Sequence, residues 1–300
     1  GPVRAGQVLK PRRLQGTAGV HDHPVHARRL AQVHANQLAD DRIGQPRHLD
    51  THHLLHRALL ADAQHAVVLT GAGISTESGV PDFRSAGGLW EKYDPMVVGS
   101  MNTFISDPAQ FWQFHRPRFD MVAAVEPNGA HTVVAELQRR GIAKAVITQN
   151  IDGLHRRAGS DPIEIHGTLE EGRCLRCDTR VTRQELLARA DAADDRVPRC
   201  ECGFQLKSGV VLFGEMLPAQ AMEDAFIQAE CADMMLVIGS SLLVSPVSDL
   251  LAIVLQTRGT LAILTEGETP YDGRCQVRLH SKAAETMPRV LAELDRLGAA

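Results

Sequence analysis

Six short apolar runs recur along the chain from Leu54 onward: Ala66–Thr70, Ala145–Thr148, Pro162–His166, Met234–Gly239, Leu261–Thr265 and Val277–His280. Most lack the polar alternation of a strand with one wet face, so they predict strands covered on both sides. Between them lie segments with helical periodicity, such as His131–Arg140 and Ala219–Glu230. Strand and helix in alternation predict a doubly wound α/β domain with a parallel sheet, whose ligands sit at the carboxyl ends of the strands. Two stretches interrupt the alternation. Residues 84–125 are rich in aromatics (Trp90, Tyr93, Phe104, Phe111, Trp112, Phe114 and Phe119), and residues 170–208 hold two close cysteine pairs. Both are expected to be insertions forming a smaller module beside the sheet, with the binding cleft between the two.

Composition narrows the class. A chain of 300 residues, 44% hydrophobic and 23% charged, can bury a substantial core and is not disordered in bulk. No apolar run approaches the roughly 20 residues of a membrane-spanning helix, so no membrane partner is expected. Residues 1–60 carry nine Lys/Arg against four Asp/Glu, leaving 23 against 32 for the rest. An acidic body argues against a nucleic-acid partner. Residues 1–56 hold eight of the fourteen histidines and no sustained apolar period. They are expected to be a disordered or non-native extension; a basic or metal-binding tail is the other reading, but the ligand spacings are irregular.

The first run leads straight into Gly71-Ala72-Gly73-Ile74-Ser75. Glycines after a strand allow backbone N–H groups to approach a pyrophosphate at a helix N-terminus, although the same tripeptide also serves as a plain tight turn. Thr76 stands where the third glycine of a dehydrogenase fingerprint would be. Val80-Pro81-Asp82-Phe83-Arg84 follows as a loop placed to close over a nucleotide. Gln149, Asn150 and Asp152 come at the end of another strand, where three such side chains are costly to bury without a polar ligand. His166 ends the next; it is either a general base or a structural histidine. Cys174-x-x-Cys177 and Cys200-x-Cys202 suit tetrahedral zinc without an open position, a redox pair being the alternative. Reduced cysteines and no visible signal peptide point to a cytoplasmic protein.

Taken in order, GAGISTESGVPDFR, TQNIDGLHRRAG, His166-Gly167, the cysteine pairs, VVLFGEMLP (210–218) and GSSLLVSP (239–246) resemble the sirtuins, the NAD-dependent protein deacylases. The resemblance spans roughly residues 58–297. It implies a Rossmann-like NAD-binding domain from residues 57–84, 126–169 and 209–297, and a small helical and zinc-binding domain from 85–125 and 170–208. Position by position, it implies that Gly71, Ala72, Gly73, Ser75, Asp82, Phe83 and Arg84 line the dinucleotide. Gln149, Asn150 and Asp152 would hold the nicotinamide ribose and carboxamide, with Asn150, Asp152 and His166 catalytic and His166 the base. Gly239, Ser240, Ser241, Thr265 and Cys275 would complete the cofactor site. Val211, Phe213, Gly214 and Glu215 would contact an acylated-lysine peptide, the segment from Val211 to Glu215 pairing with it as a strand.

Three departures from the family pattern carry expectations of their own. Lys207-Ser208-Gly209 replaces a basic residue followed by proline and an acidic or amide residue, which predicts a looser loop. Thr265 stands in place of an asparagine that holds the adenine ribose. His115 and Arg118 occupy the places of a tyrosine and arginine that mark removal of acidic acyl groups, with Pro117 between them expected to break the helix. The rival readings are a mono-ADP-ribosyltransferase and a noncatalytic NAD- or zinc-dependent interaction module.

Overall fold

A computed structural model describes residues 63–82, 88–296 and 298. The expected extension at residues 1–56 lies outside the described residues, as do Phe83 and Arg84. In chain order the elements are β1 (Ala66–Thr70), α1 (Leu89–Lys92), α2 (Pro95–Val98), α3 (Met101–Ser106), α4 (Pro108–Ala123), α5 (Gly129–Arg139), β2 (Ala143–Thr148), α6 (Leu154–Arg157) and β3 (Pro162–Glu164). There follow β4 (Glu171–Cys174), β5 (Arg180–Thr182), α7 (Arg183–Ala192), β6 (Leu206–Ser208), α8 (Ala219–Cys231), β7 (Met234–Ile238), α9 (Val247–Gln256), β8 (Thr260–Leu264), β9 (Val277–Leu279) and α10 (Ala283–Arg296).

Six strands form one parallel sheet in the order β3-β2-β1-β7-β8-β9. Side-chain alternation splits its apolar residues between two faces. Val68, Val146, Leu236 and Leu264 pack with α5 and α10 on one face, while Leu69, Ile147, Val237 and Ile263 pack with α8 and α9 on the other. This is the doubly wound architecture expected from unalternating apolar strands. β2 begins two residues earlier than the apolar pattern predicts, because a register shift opposite Ala66 and Val67 accommodates the exposed Lys144 as an extra residue. The order of strands reverses between β1 and β7, and a crevice opens there outside their carboxyl ends.

The two inserted stretches share a third apolar cluster. Phe104, Phe111, Trp112 and Phe119 pack with Cys174, Leu186, Cys200 and Leu206. A small antiparallel sheet, β5-β4-β6, carries the cysteine region and was invisible in the hydropathy pattern because its strands alternate with polar residues. α4 runs on through Pro117 rather than breaking there. Pro117 lies on the exposed side, where the carbonyl left unpaired a turn earlier, that of the exposed Gln113, is open to solvent, while Phe111, Trp112, His115, Phe119 and Val122 form one buried face across it.

Candidate active site

At the crevice, two glycine turns interlock. The Gly71 N–H donates to the Ile238 carbonyl (3.0 Å) and the Gly73 N–H to the Gly239 carbonyl (2.8 Å). A Cβ on Gly73 would lie 2.7 Å from the Gly239 Cα, and one on Gly239, whose φ is +65°, would lie 2.2 Å from the Ile74 nitrogen. The glycines are therefore required for the close approach of the β1 and β7 turns. That use consumes two of the amides expected to face a pyrophosphate; the Ala72 N–H is the one the turn keeps without a partner among the described residues.

Below this turn lies a buried polar network. The Asn150 side-chain amide donates to the Gly71 carbonyl (3.2 Å) and to Ser75 Oγ (3.1 Å). Ser75 Oγ donates in turn to Asp152 Oδ2 (2.7 Å), whose other oxygen accepts from the Leu154 N–H (2.9 Å). Burial pushes the Asp152 carboxyl above its usual range, against those hydrogen bonds. His131 Nε2 reaches Ser75 Oγ (3.3 Å) and its Nδ1 accepts from the Asn128 N–H (3.3 Å). His155 Nε2 meets Thr70 Oγ1 (2.9 Å), and its ring lies edge-on to His131. Neither histidine was given a role from the sequence: His131 sits on a helix far along the chain from any motif, and His155, though inside the TQNIDGLHRRAG block, shows its partner Thr70 only in the fold.

Burial lowers His131 to about 4 and His155 to about 3. Both rings fold neutral, so the unfolded chain binds more protons below its ordinary histidine range near 6.5. Their contribution to stability is complete above about pH 6.5 and is lost as the pH falls toward 4. Thermal melting followed from pH 7.5 to 4.5 is expected to show Tm falling with acidification, and the His131→Asn variant to show a shallower fall.

His166 Nδ1 lies 3.0 Å from the Gln149 carbonyl oxygen. A carbonyl only accepts, so Nδ1 carries the proton and Nε2 is left as the basic nitrogen. Gln149 Nε2 donates to Ser240 Oγ (2.8 Å), tying the ends of β2 and β7 together. Asp82, Asn150, Asp152, His166, Ser241, Thr265 and the 210–215 segment all line one cleft of about 630 Å³. Arg278 holds the far rim by donating to the Thr265 (2.8 Å) and Leu279 (2.6 Å) carbonyls. Cys275 is not brought there. It precedes β9, at the amino edge of the sheet beside Leu261, whereas the cleft opens at the carboxyl edge, where Ser281 and Lys282 line it instead. A second concavity lies between α4 and α7, where Arg116 engages Asp120 and Asp191, and Arg196 also engages Asp191.

The expected strand pairing of the peptide segment meets a different backbone. The N–H groups of Val211, Leu212, Phe213 and Glu215 donate to the His166 carbonyl, the Glu215 carboxylate, the Gly99 carbonyl and the Leu212 carbonyl respectively. The Gly214 N–H and the Val211 carbonyl have no partner among the described residues, which offers a peptide two backbone bonds on this wall and not a ladder. The Lys207-Ser208-Gly209 loop is also closed and not loose. Ser208 pairs with Gly172 on β4, the Gly209 N–H donates to the Glu171 carbonyl (2.8 Å), and a Cβ on Gly209 would lie 2.9 Å from the Thr168 carbonyl.

Farther along the cleft, His115 donates from Nε2 to the Val98 carbonyl (3.1 Å) and stacks on Phe111. Burial lowers it to about 3, so it is neutral. The Arg118 guanidinium lies over the Phe114 ring, 3.2 Å from its centroid, and its Nε is buried without a partner among the described residues.

The sulfurs of Cys174, Cys177, Cys200 and Cys202 lie within 4.8 Å of one another, the two closest pairs at 3.5 Å. Zinc–sulfur bonds of about 2.3 Å arranged as a tetrahedron require edges near 3.8 Å, so the donor set fits zinc. Each pair sits on a tight turn closed by Asp178 (φ 61°) or Gly203 (φ 82°).

A model of the Sir2 family matches residues 71–246, more than half of the chain. The chain belongs to the Sir2 family. Among its relatives, NAD-dependent protein deacylase 2 of Archaeoglobus fulgidus is 43% identical over 242 residues, covering 80% of this chain and 94% of the relative. The NAD-dependent protein deacetylase of Thermotoga maritima is 39% identical over 78% of this chain and 95% of its own. The structure of Sir2Tm bound to a propionylated peptide superposes with a TM-score of 0.71 at 36% identity, over 81% of this chain and 97% of the other. Sir2 membership accounts for the doubly wound fold and the cysteine cluster together. Among the described residues no helix is long and apolar enough to cross a membrane.

Proposed function

We propose that this Sir2-family chain is an NAD-dependent protein-lysine deacylase whose catalytic centre is the cleft at the carboxyl ends of β1, β2 and β7. The observation that carries the reading is the fixed tautomer of His166, which leaves Nε2 basic in the same cleft as Asn150, Asp152 and the interlocked glycine turns. Bound there, NAD supplies a nicotinamide leaving group and a ribose carbon that accepts the acyl oxygen. Gly71, Ala72, Gly73 and Ser75 shape the floor beneath the dinucleotide, Gln149 and Ser240 hold its sugar between β2 and β7, and Thr265 closes the adenosine end. Asn150 and Asp152 are presented at a fixed angle by Ser75, and His166 takes a ribose hydroxyl proton so that the oxygen can attack the acyl carbon. One water is consumed as the lysine amine leaves, and the products are nicotinamide, O-acyl-ADP-ribose and the free lysine. The sheet domain is assigned residues 57–84, 126–169 and 209–297, the small domain 85–125 and 170–208, and the reaction is assigned to the cytoplasm, where four thiolates stay reduced.

Mass spectrometry of acyl-lysine peptides incubated with NAD tests the reading. Deacylated peptide and O-acyl-ADP-ribose in equal amounts are expected, with no nicotinamide released when peptide is left out. ADP-ribosylated peptide as the main product, or NAD left uncleaved, would overturn it.

The acyl pocket favours tolerance of both simple and acidic groups. A guanidinium with a buried, unpartnered Nε gains from a carboxylate, while the aromatic wall around it accepts a methyl group equally well. A charge-assisted hydrogen bond is worth about 1.5–3 kcal/mol. Arg118→Met is therefore expected to lower kcat/KM on succinyl-lysine by roughly 10- to 100-fold and to leave acetyl-lysine turnover within about twofold. Unchanged desuccinylation would refute the role of Arg118.

A further inference from the structure

The wall of the cleft formed by residues 210–215 is folded around one buried ammonium. Lys207 Nζ donates to the Ser208 carbonyl (3.0 Å), to the Val210 carbonyl (2.7 Å) and to Glu215 Oε2 (3.1 Å). Those are all the donors an ammonium has. The same Glu215 oxygen accepts from the Leu212 N–H (2.8 Å). The Lys207 side chain is 5% exposed and that of Glu215 19%. A buried charge of this kind is seldom the cheapest way to gain stability, since an apolar pair of equal volume packs as well; its value lies in the geometry it dictates.

That geometry is specific. With Oε2 of Glu215 held by Lys207 Nζ and the Leu212 N–H, the carboxylate supports the wall from within as well as lining the cleft. The Val210 carbonyl and the Leu212 N–H are both turned toward the pair, so the alternate groups, the Val211 carbonyl and the Gly214 N–H, are left for the cleft. The Val211 N–H meanwhile holds the backbone carbonyl of His166 (2.9 Å), so the wall is tied to the residue bearing the base. Lys207 itself is delivered by β6, paired opposite Arg173 on the strand that ends in Cys174.

We infer that Lys207 and Glu215 form a positioning pair: their buried contact shapes the 210–215 wall so that its two free backbone groups accept the acylated-lysine peptide. The inference rests on the deacylase reading above. The pair acts through the backbone of the wall, and its loss is expressed in peptide affinity.

Steady-state kinetics on the zinc-loaded full chain, with Lys207→Met, Glu215→Gln and Lys207→Arg variants, test it. Lys207→Met and Glu215→Gln are expected to raise KM for an acetyl-lysine peptide by roughly tenfold or more, with Kd for ADP-ribose by calorimetry held within about twofold. Lys207→Arg, which keeps charge and donors, is expected to restore most of the peptide affinity. Lys207→Met strands the Glu215 carboxylate and can unfold the wall; Glu215→Gln keeps the shape and an acceptor for Leu212, so it decides the case if the first variant is not recovered folded. Peptide KM unchanged in Glu215→Gln, or a rise in peptide KM matched by an equal loss of ADP-ribose affinity, would overturn the inference. A wild-type chain that binds ADP-ribose but removes no acyl group would instead overturn the deacylase reading.

Discussion

Replacing His166 by alanine is expected to lower kcat on an acetyl-lysine peptide by about 10²- to 10⁴-fold, the usual worth of a positioned general base. Binding should survive. His166 contributes a side chain to the cleft wall, but the Gln149–Ser240 bond and the interlocked glycine turns are made by other groups; the Nδ1 bond to the Gln149 carbonyl is lost. The measurement is single-turnover deacylation beside calorimetric binding of ADP-ribose. Loss of turnover with ADP-ribose affinity kept within about threefold fits a base that acts after the dinucleotide is in place. Turnover reduced by less than about tenfold would assign the proton to another group, and the deacylase mechanism drawn for this cleft would fail. Gln149→Ala provides the contrast, because it removes the tie to Ser240 while leaving the His166 anchor, a backbone carbonyl, intact; its effect is expected in KM for NAD.

Removing zinc should have the other large effect. The four cysteines hold a module whose own sheet is three short strands, and structural zinc of this kind is worth on the order of 10 kcal/mol of folding free energy in small domains. The damage is not confined to the cysteines. Cys174 and Cys200 are part of the same apolar cluster as Phe104, Phe111 and Trp112, and Trp112 Nε1 donates to the Leu206 carbonyl (3.2 Å) on β6. Treatment with a strong chelator, or the Cys200→Ser variant, is therefore expected to abolish deacylation in proportion to metal lost and to shift tryptophan fluorescence toward that of exposed indole. The parallel sheet, whose two apolar layers do not include the cysteines, should keep its far-ultraviolet circular dichroism. Full activity at zero bound zinc would show that the cluster is not a metal site.

Much of the architecture was legible because the two periodicities of the chain are strong. Runs such as Met234–Ile238 have no polar residue to place in water, so a covered parallel strand was forced. The boundaries moved by one or two residues where a strand ends at its last ladder bond and not at its last apolar residue, as at Gly239 and His280. β4, β5 and β6 were missed since a short antiparallel sheet with one wet face and a metal in place of a core leaves little hydropathy signal. Within the site, Asn150, Asp152 and His166 announced themselves by polar residues following apolar runs. Cys275 was misplaced for the opposite reason: a loop residue near a strand carries no mark of which end of the sheet it will occupy.

The order of residues along the chain thus determined the fold class, the family, the metal ligands and the polar groups at the strand ends, all of which are local facts of pattern and spacing. What only tertiary structure decided are relations between segments far apart in sequence. His131 and His155 converge beneath the Asn150–Ser75–Asp152 network, the Gln149 carbonyl selects the tautomer of His166, and Lys207 Nζ meets Glu215 Oε2 behind the cleft wall. Hydrogen-bond direction is set by whichever donor or acceptor the fold happens to bring within about 3 Å, and a linear sequence holds no record of that distance.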